Sequence, residues 1–308
     1  MIISTGMRTD IPAFYPQWLI NRLKAGFVYV RNPYYPNQVT KYSLDPKVVD
    51  CLCFCTKNPL PLLPYLDELN NYRQFWFVTI TAYGQDYEPH VPDKNAVIAG
   101  FKQIAKRVGR NGIGWRYDPI FISEHYPLSR HIAEFTRLCQ ELRSYTNSCV
   151  ISFLDMYEKV KRNAPDIRPL TMDEQLIIGK EFAKIAHSNG ITIRTCCEGT
   201  HLAQFGIDVS GCQTQTVIEK AIGVPLTPPK RKNARTICHC LLGQDIGAYN
   251  TCGHLCKYCY ANSDKQMVLA NMRQHDSNSP FLIGNSQPGD KVTAAKQVSF
   301  INLQTSVF

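Results

Sequence analysis

Apolar positions over residues 1–196 alternate between two periods. Short β-branched, aromatic or otherwise apolar runs at residues 1–6, 26–30, 48–55, 75–82, 112–118, 149–154 and 190–196 predict strands, and FWFVTITA at 75–82 is the clearest of them. Between them, helical spacing covers residues 15–24, 62–70, 94–108, 129–144 and 173–188. The last is preceded by Thr171 with Glu174 three positions on, the spacing of a capping box. Strands that alternate with helices and are apolar nearly throughout suit a parallel sheet covered on both faces. The expected fold is therefore α/β, a partial or complete parallel (β/α) barrel.

The pattern changes after Cys196. Residues 206–223 are short and mixed, 224–235 form a Pro-rich basic linker that includes Lys230, Arg231 and Lys232, and from Cys238 the chain is rich in Cys, His and Gly with little periodicity. Residues around Pro280 and Pro288 read as a loose tail. This divides the chain into a barrel over 1–198, a linker segment over 199–235, and a Cys-rich C-terminal region over 236–308 that folds back over the barrel mouth.

Composition narrows the class. The 308 residues are 44% hydrophobic and 19% charged, which excludes disordered, collagen-like and coiled-coil chains. No run approaches the roughly 18 apolar residues of a membrane span, and residues 1–8 lack the features of a secretory leader, so no membrane partner and a cytoplasmic location are expected. A net charge of +9 favours acidic or phosphorylated partners without deciding anything alone. Thirteen cysteines, an odd number too sparse for a disulfide scaffold, point to metal or redox chemistry.

Cys252, Cys256 and Cys259 read C-x3-C-x2-C, with Tyr258 before the third thiol. Such a loop can wrap three thiolates around a 4Fe-4S cluster and leave one iron without a protein ligand. That iron can be chelated by S-adenosylmethionine, whose reductive cleavage releases a 5′-deoxyadenosyl radical. A structural zinc site completed by His239 or His254 is the competing reading, although zinc ribbons favour paired C-x2-C units and only one occurs here. Cys196, Cys212, Cys238 and Cys240 form a second set of four, able to hold another 4Fe-4S cluster or zinc, with Cys197 as the alternative to Cys196. Cys139 and Cys149 read as core. Cys51, Cys53 and Cys55 share one face of a strand, and only Cys55, at its end, is expected to face a site.

In a parallel barrel the active site lies at the carboxyl ends of the strands. Those ends are polar here: Arg8 and Asp10 after the first strand, Lys57 and Asn58 after the third, Tyr83 and Glu88 after the fourth, Arg116 and Asp118 in the fifth, Asp155 after the sixth and Glu198 after the seventh. Lys57 or Arg116 suits a ligand carboxylate, and Asp10 or Asn58 an amino or ribose group. Each pair, Arg116 with Asp118 for example, also reads as a structural ion pair.

The segments RTDIP (8–12), TKNP (56–59), WRYDP (115–119), Asp245-Ile246-Gly247 and the cysteine run ending in CKYCYA (256–261) resemble a little-characterised family catalogued as a domain of unknown function. That family is similar to radical S-adenosylmethionine enzymes of the spore photoproduct lyase and DNA-repair-photolyase-like group. The resemblance implies an iron–sulfur cluster on Cys252, Cys256 and Cys259. In such enzymes the three-cysteine loop follows the first barrel strand, whereas here it follows the whole strand series, which favours delivery by a C-terminal extension.

The function expected is a radical S-adenosylmethionine-type enzyme served by a flavodoxin or ferredoxin-type reductant. Tyr258, Cys55 or Tyr83 are candidate hydrogen relays, and a nucleic acid or nucleotide is a candidate substrate. The alternatives are a zinc-stabilised nucleic-acid-binding protein and an iron–sulfur redox protein without radical chemistry.

Overall fold

The computed structural model describes residues 1–229 and 238–301. Its strands are β1 (Ile2–Ser4), β2 (Phe27–Arg31), β3 (Gln38–Ser43), β4 (Cys51–Thr56), β5 (Gln74–Thr79), β6 (Ile113–Ile120), β7 (Ser148–Phe153), β8 (Thr192–Thr195), β9 (Gln244–Asp245) and β10 (Lys291–Ala294). Seven of them form one sheet in the order β8-β7-β6-β5-β4-β1-β9, and every pairing in it is parallel. The architecture is α/β, as the alternating periods imply. Strand β9 comes from the cysteine-rich region and joins this main sheet as an edge, beside β1.

Residues 26–30 leave the parallel series. The run becomes β2, which pairs antiparallel with β3 and through it with β10 in a separate three-stranded sheet. The reason is local. Asn32 ends β2 and its side chain accepts from the backbone N–H groups of Tyr34 and Tyr35 at 2.9 and 3.2 Å, turning the chain straight back.

Helices α1 (Ile11–Phe14), α2 (Pro16–Ala25), α3 (Lys94–Val108), α4 (Leu128–Leu142), α5 (Glu158–Asn163), α6 (Met172–Ser188), α7 (Gln215–Ile222) and α8 (Lys265–Arg273) complete the chain. Helix α6 carries the capping box of Thr171 and Glu174. Residues Leu60–Leu69 form a 3-10 helix instead of an α-helix, in keeping with Pro61 and Pro64, which have no N–H for an α ladder. Aromatic stacking fills the core: Phe54 on Trp76, Trp115 on Phe135 and Phe135 on Phe182 lie 4.0, 4.9 and 3.7 Å apart between ring centres.

The described part of the expected loose tail, up to residue 301, is packed. The indole N–H of buried Trp18 donates to Ser279 O and Phe281 O at 3.0 and 2.9 Å, and Phe281, Leu282 and Phe300 are buried. Among the described residues no helix is long and apolar enough to cross a membrane. The Lys230, Arg231 and Lys232 run lies outside the described residues.

Candidate functional site

Parallel strands deliver all their carboxyl ends to one face, and a cavity of about 560 Å³ opens there. Gly6, Thr56, Lys57, Thr79, Arg116, Asp118, Phe153 and Cys196 line it from successive strand ends, and Cys252, Cys256, Tyr258 and Cys259 line it from the late loop. Gly6 is required: a Cβ there would lie 2.2 Å from Cys55 O. The pairing of β6 with β7 shifts register between Tyr117 and Ile120, and Asp118 faces the cavity from within that irregularity.

Two carboxylates fasten the cysteine loop to the strand ends. Asp10 caps α1 through Ala13 N–H at 3.1 Å, accepts the backbone N–H of Lys57 at 2.8 Å, and meets His254 Nε2 at 2.9 Å. One buried side chain therefore ties the first strand, the fourth and the loop together. Glu88 takes Lys57 Nζ at 2.8 Å, the Thr81 hydroxyl at 2.9 Å and the Tyr258 hydroxyl. Burial alone would lower the basicity of Lys57, but the charge of Glu88 overrides it and holds the ammonium above its ordinary range. Lys159 Nζ reaches Cys259 O at 2.6 Å, so α5 supports the loop from the far side.

The thiols occupy the cavity wall in two different ways. Cys256 is buried and Cys252 and Cys259 half-buried, and among the described residues no hydrogen bond joins one of these three sulfurs to another. Ala261 N–H points at Cys259 Sγ, 3.3 Å away. Burial pushes the Cys252 and Cys256 thiols up, so an ion or a cluster is what would hold them as thiolates. Opposite, Cys212 Sγ lies 3.6 Å from Cys196 Sγ and 3.5 Å from Cys240 Sγ. The described non-glycine residues with a left-handed backbone are Cys197, Asn250 and Leu255, with φ of 64°, 56° and 55°, all in the two cysteine-bearing segments. Such strain is kept where the surrounding structure fixes it.

A family model described as a domain of unknown function, DUF1848, matches residues 2–261. The chain belongs to the DUF1848 family. No curated protein and no solved structure matches it. The match takes in both cysteine groups and each strand end that lines the cavity.

Within this DUF1848 domain, Lys57, Arg116, Asp118, Asp10, Cys55, Tyr258 and the cysteines of both groups converge on the one cavity. Arg116 pairs with Asp118 at 2.5 Å, and Ser152 Oγ also reaches Asp118. Cys55 is pushed up to about 11, burial outweighing the nearby charge of Arg116. Three expected residues stand elsewhere. Arg8 clamps Asp245 of β9, Nε to Oδ1 at 2.8 Å, and lines an adjoining cavity of about 510 Å³ with Tyr249 and Tyr260. Asn58 accepts from Leu60 N–H at the start of the 3-10 helix. Tyr83 stacks on Phe121 at 4.0 Å and donates to Pro119 O, a core role. Thr9, Lys159 and the Asp10–His254 pair escape sequence reading, because nothing local marks a contact between residues 10 and 254. Thr9 Oγ1 is buried, has no partner among the described residues, and belongs to the cavity lining.

Proposed function

We propose that this protein is a radical S-adenosylmethionine-type enzyme whose 4Fe-4S cluster is held by Cys252, Cys256 and Cys259. The observation that carries the reading is the convergence of a C-x3-C-x2-C loop, three thiols not bonded to one another, on the polar strand-end cavity. The donor set fits the group: three sulfurs for three irons, a backbone N–H aimed at Cys259, and the unpartnered Thr9 hydroxyl in the same wall. When bound, the cluster and S-adenosylmethionine supply reductive cleavage to a 5′-deoxyadenosyl radical, with electrons from a flavodoxin or ferredoxin-type partner.

The chain's own residues position and shield. Asp10 and Glu88 fix the loop through His254 and Tyr258, so the thiols are presented from a buttressed backbone. Arg116 and Asp118 place a cation and an anion side by side on the wall, suited to the carboxylate and ammonium of an amino-acid moiety. Phe77, Phe153 and Leu154 supply the apolar lining that limits water. The finer reading of the sheet is a partial barrel with the cysteine region folded over its mouth. Its support is that Leu241 N–H donates to Gln213 O at 2.8 Å and Gln213 Nε2 to Leu241 O at 3.2 Å, linking the segment after one edge strand with the segment before the other.

The test is anaerobic purification with iron and sulfide analysis, then dithionite reduction with S-adenosylmethionine. About four irons per chain at this loop and formation of 5′-deoxyadenosine are expected. A colourless, iron-free protein after reconstitution, or an iron-loaded one that forms no nucleoside, overturns the reading.

A further inference from the structure

The second group of thiols differs from the first in a measurable way. Its sulfurs touch. Cys212 Sγ stands 3.6 Å from Cys196 Sγ and 3.5 Å from Cys240 Sγ, and Cys238 and Cys197 line the same cavity wall. Three sulfurs from three segments thus touch in series, and five thiols share one cavity wall. Thiolates that share one tetrahedral zinc, at about 2.3 Å each, stand about 3.8 Å apart. Thiolates of a four-iron cube each bind a different iron and are held much farther apart than that. The spacing matches one ion, not a cube.

We infer that Cys196, Cys212, Cys238 and Cys240 hold a single zinc ion as a closed tetrathiolate, and that this ion fastens the two edges of the seven-stranded sheet. Cys196 directly follows β8, one edge, and Cys240 lies a few residues before β9, the other. Cys212 bridges them. The backbone is shaped for the approach: Gly211 has φ +127°, and a Cβ there would lie 3.1 Å from Cys240 Sγ. Gln213 N–H points at Cys240 Sγ from 3.2 Å, the kind of donor that supports a coordinating thiolate. Arg116 provides the countercharge, since its guanidinium acts on both Cys196 and Cys212.

No three described His, Cys, Asp or Glu side chains already enclose one point, so closing the site requires the touching thiols to rotate onto the ion. The step balances as one Zn²⁺ and four thiols giving a dianionic tetrathiolate and four released protons. Cys197, with its left-handed backbone, stays outside the set. This assignment does not rest on the radical reading of the other loop.

The experiment uses the full chain purified anaerobically without added metal. Zinc and iron are counted in the wild type and in the C252A/C256A/C259A variant, which leaves the second group intact. About one zinc per chain in both is expected, and exchange with cobalt(II) should give the strong visible bands of a tetrahedral thiolate site. C197S should keep the zinc and C238S should lose it. Iron in place of zinc in the triple variant, a metal-free second group, or zinc retained in C238S but lost in C197S each overturns the assignment. Because the cobalt spectrum is read on unmutated protein, a variant that fails to fold does not blunt the test. Absence of 5′-deoxyadenosine from the unmutated, iron-reconstituted protein with its zinc in place would sink the radical reading alone.

Discussion

The two thiol groups line one cavity, yet they are built on opposite plans. Cys252, Cys256 and Cys259 come from one short stretch, with no hydrogen bonds between their sulfurs and with their anchors, Asp10 and Glu88, supplied by the strand ends. Cys196, Cys212 and Cys240 come from distant segments and meet sulfur to sulfur. A local loop is cheap in chain entropy and leaves its centre open to a ligand, whereas a site drawn from remote segments restricts the chain most when it closes. The first plan suits reactivity and the second cohesion.

That contrast is breakable by experiment. The largest effect is expected from C252A/C256A/C259A, which should abolish 5′-deoxyadenosine formation, at least about 100-fold, while the melting temperature shifts little. A collapse of stability in a nucleoside assay and thermal melt run together would erase the distinction. Next, C212S should cost several kcal/mol and lower the melting midpoint by roughly 10 °C, read by calorimetry, because it opens the closed site. An unchanged midpoint would return these thiols to ordinary core packing.

Asp10→Ala probes what joins the loop to the main sheet. It removes a helix cap, the acceptor for Lys57 N–H and the partner of buried His254, and should cost about 3–5 kcal/mol in denaturant titration, together with iron occupancy of the loop. Zinc occupancy should hold. The smallest effect lies away from both groups. His131 lies on the buried face of α4, where it bonds the Tyr117 hydroxyl at 2.8 Å and Phe121 O at 2.9 Å, and burial pushes it down to about 4. The unfolded chain then binds a proton that the folded chain refuses between about pH 6.5 and 4. Stability is full above that window and falls by about 3 kcal/mol as pH drops through it. His131→Gln should flatten this limb in urea melts at several pH values, and an unaltered slope would place the acid sensitivity elsewhere.

Much of the frame is written locally. Apolar runs and the Thr171–Glu174 cap place six main-sheet strands and the long helices, and several of the polar strand ends line the cavity. What stays hidden is pairing between distant residues. Nothing at residues 27–31 announces that their sheet is completed by Lys291–Ala294, and a strand of two residues such as β9 carries no periodicity at all. The same holds at the site. Cysteine spacing marks the loop, but that Glu88 meets Tyr258, or that Arg8 serves Asp245 in place of a ligand, depends on the finished fold. The left-handed Cys197 is another case, since a residue's φ outside glycine is set by its surroundings.

The position of β9 beside β1 has a further consequence, for synthesis. Ile3 pairs with Gln244 and Gln38 with Lys291, so the earliest strands to leave the ribosome wait for the latest. A nascent chain with β1 through β8 already made still exposes an unpaired edge along β1 and lacks every thiol of the C-x3-C-x2-C loop. Such long-range closure is slow, and the half-built sheet is the form most open to aggregation. Under the proposed function metal loading would thereby be ordered in time: the late loop would capture its cluster only once the rest of the cavity wall had been synthesised.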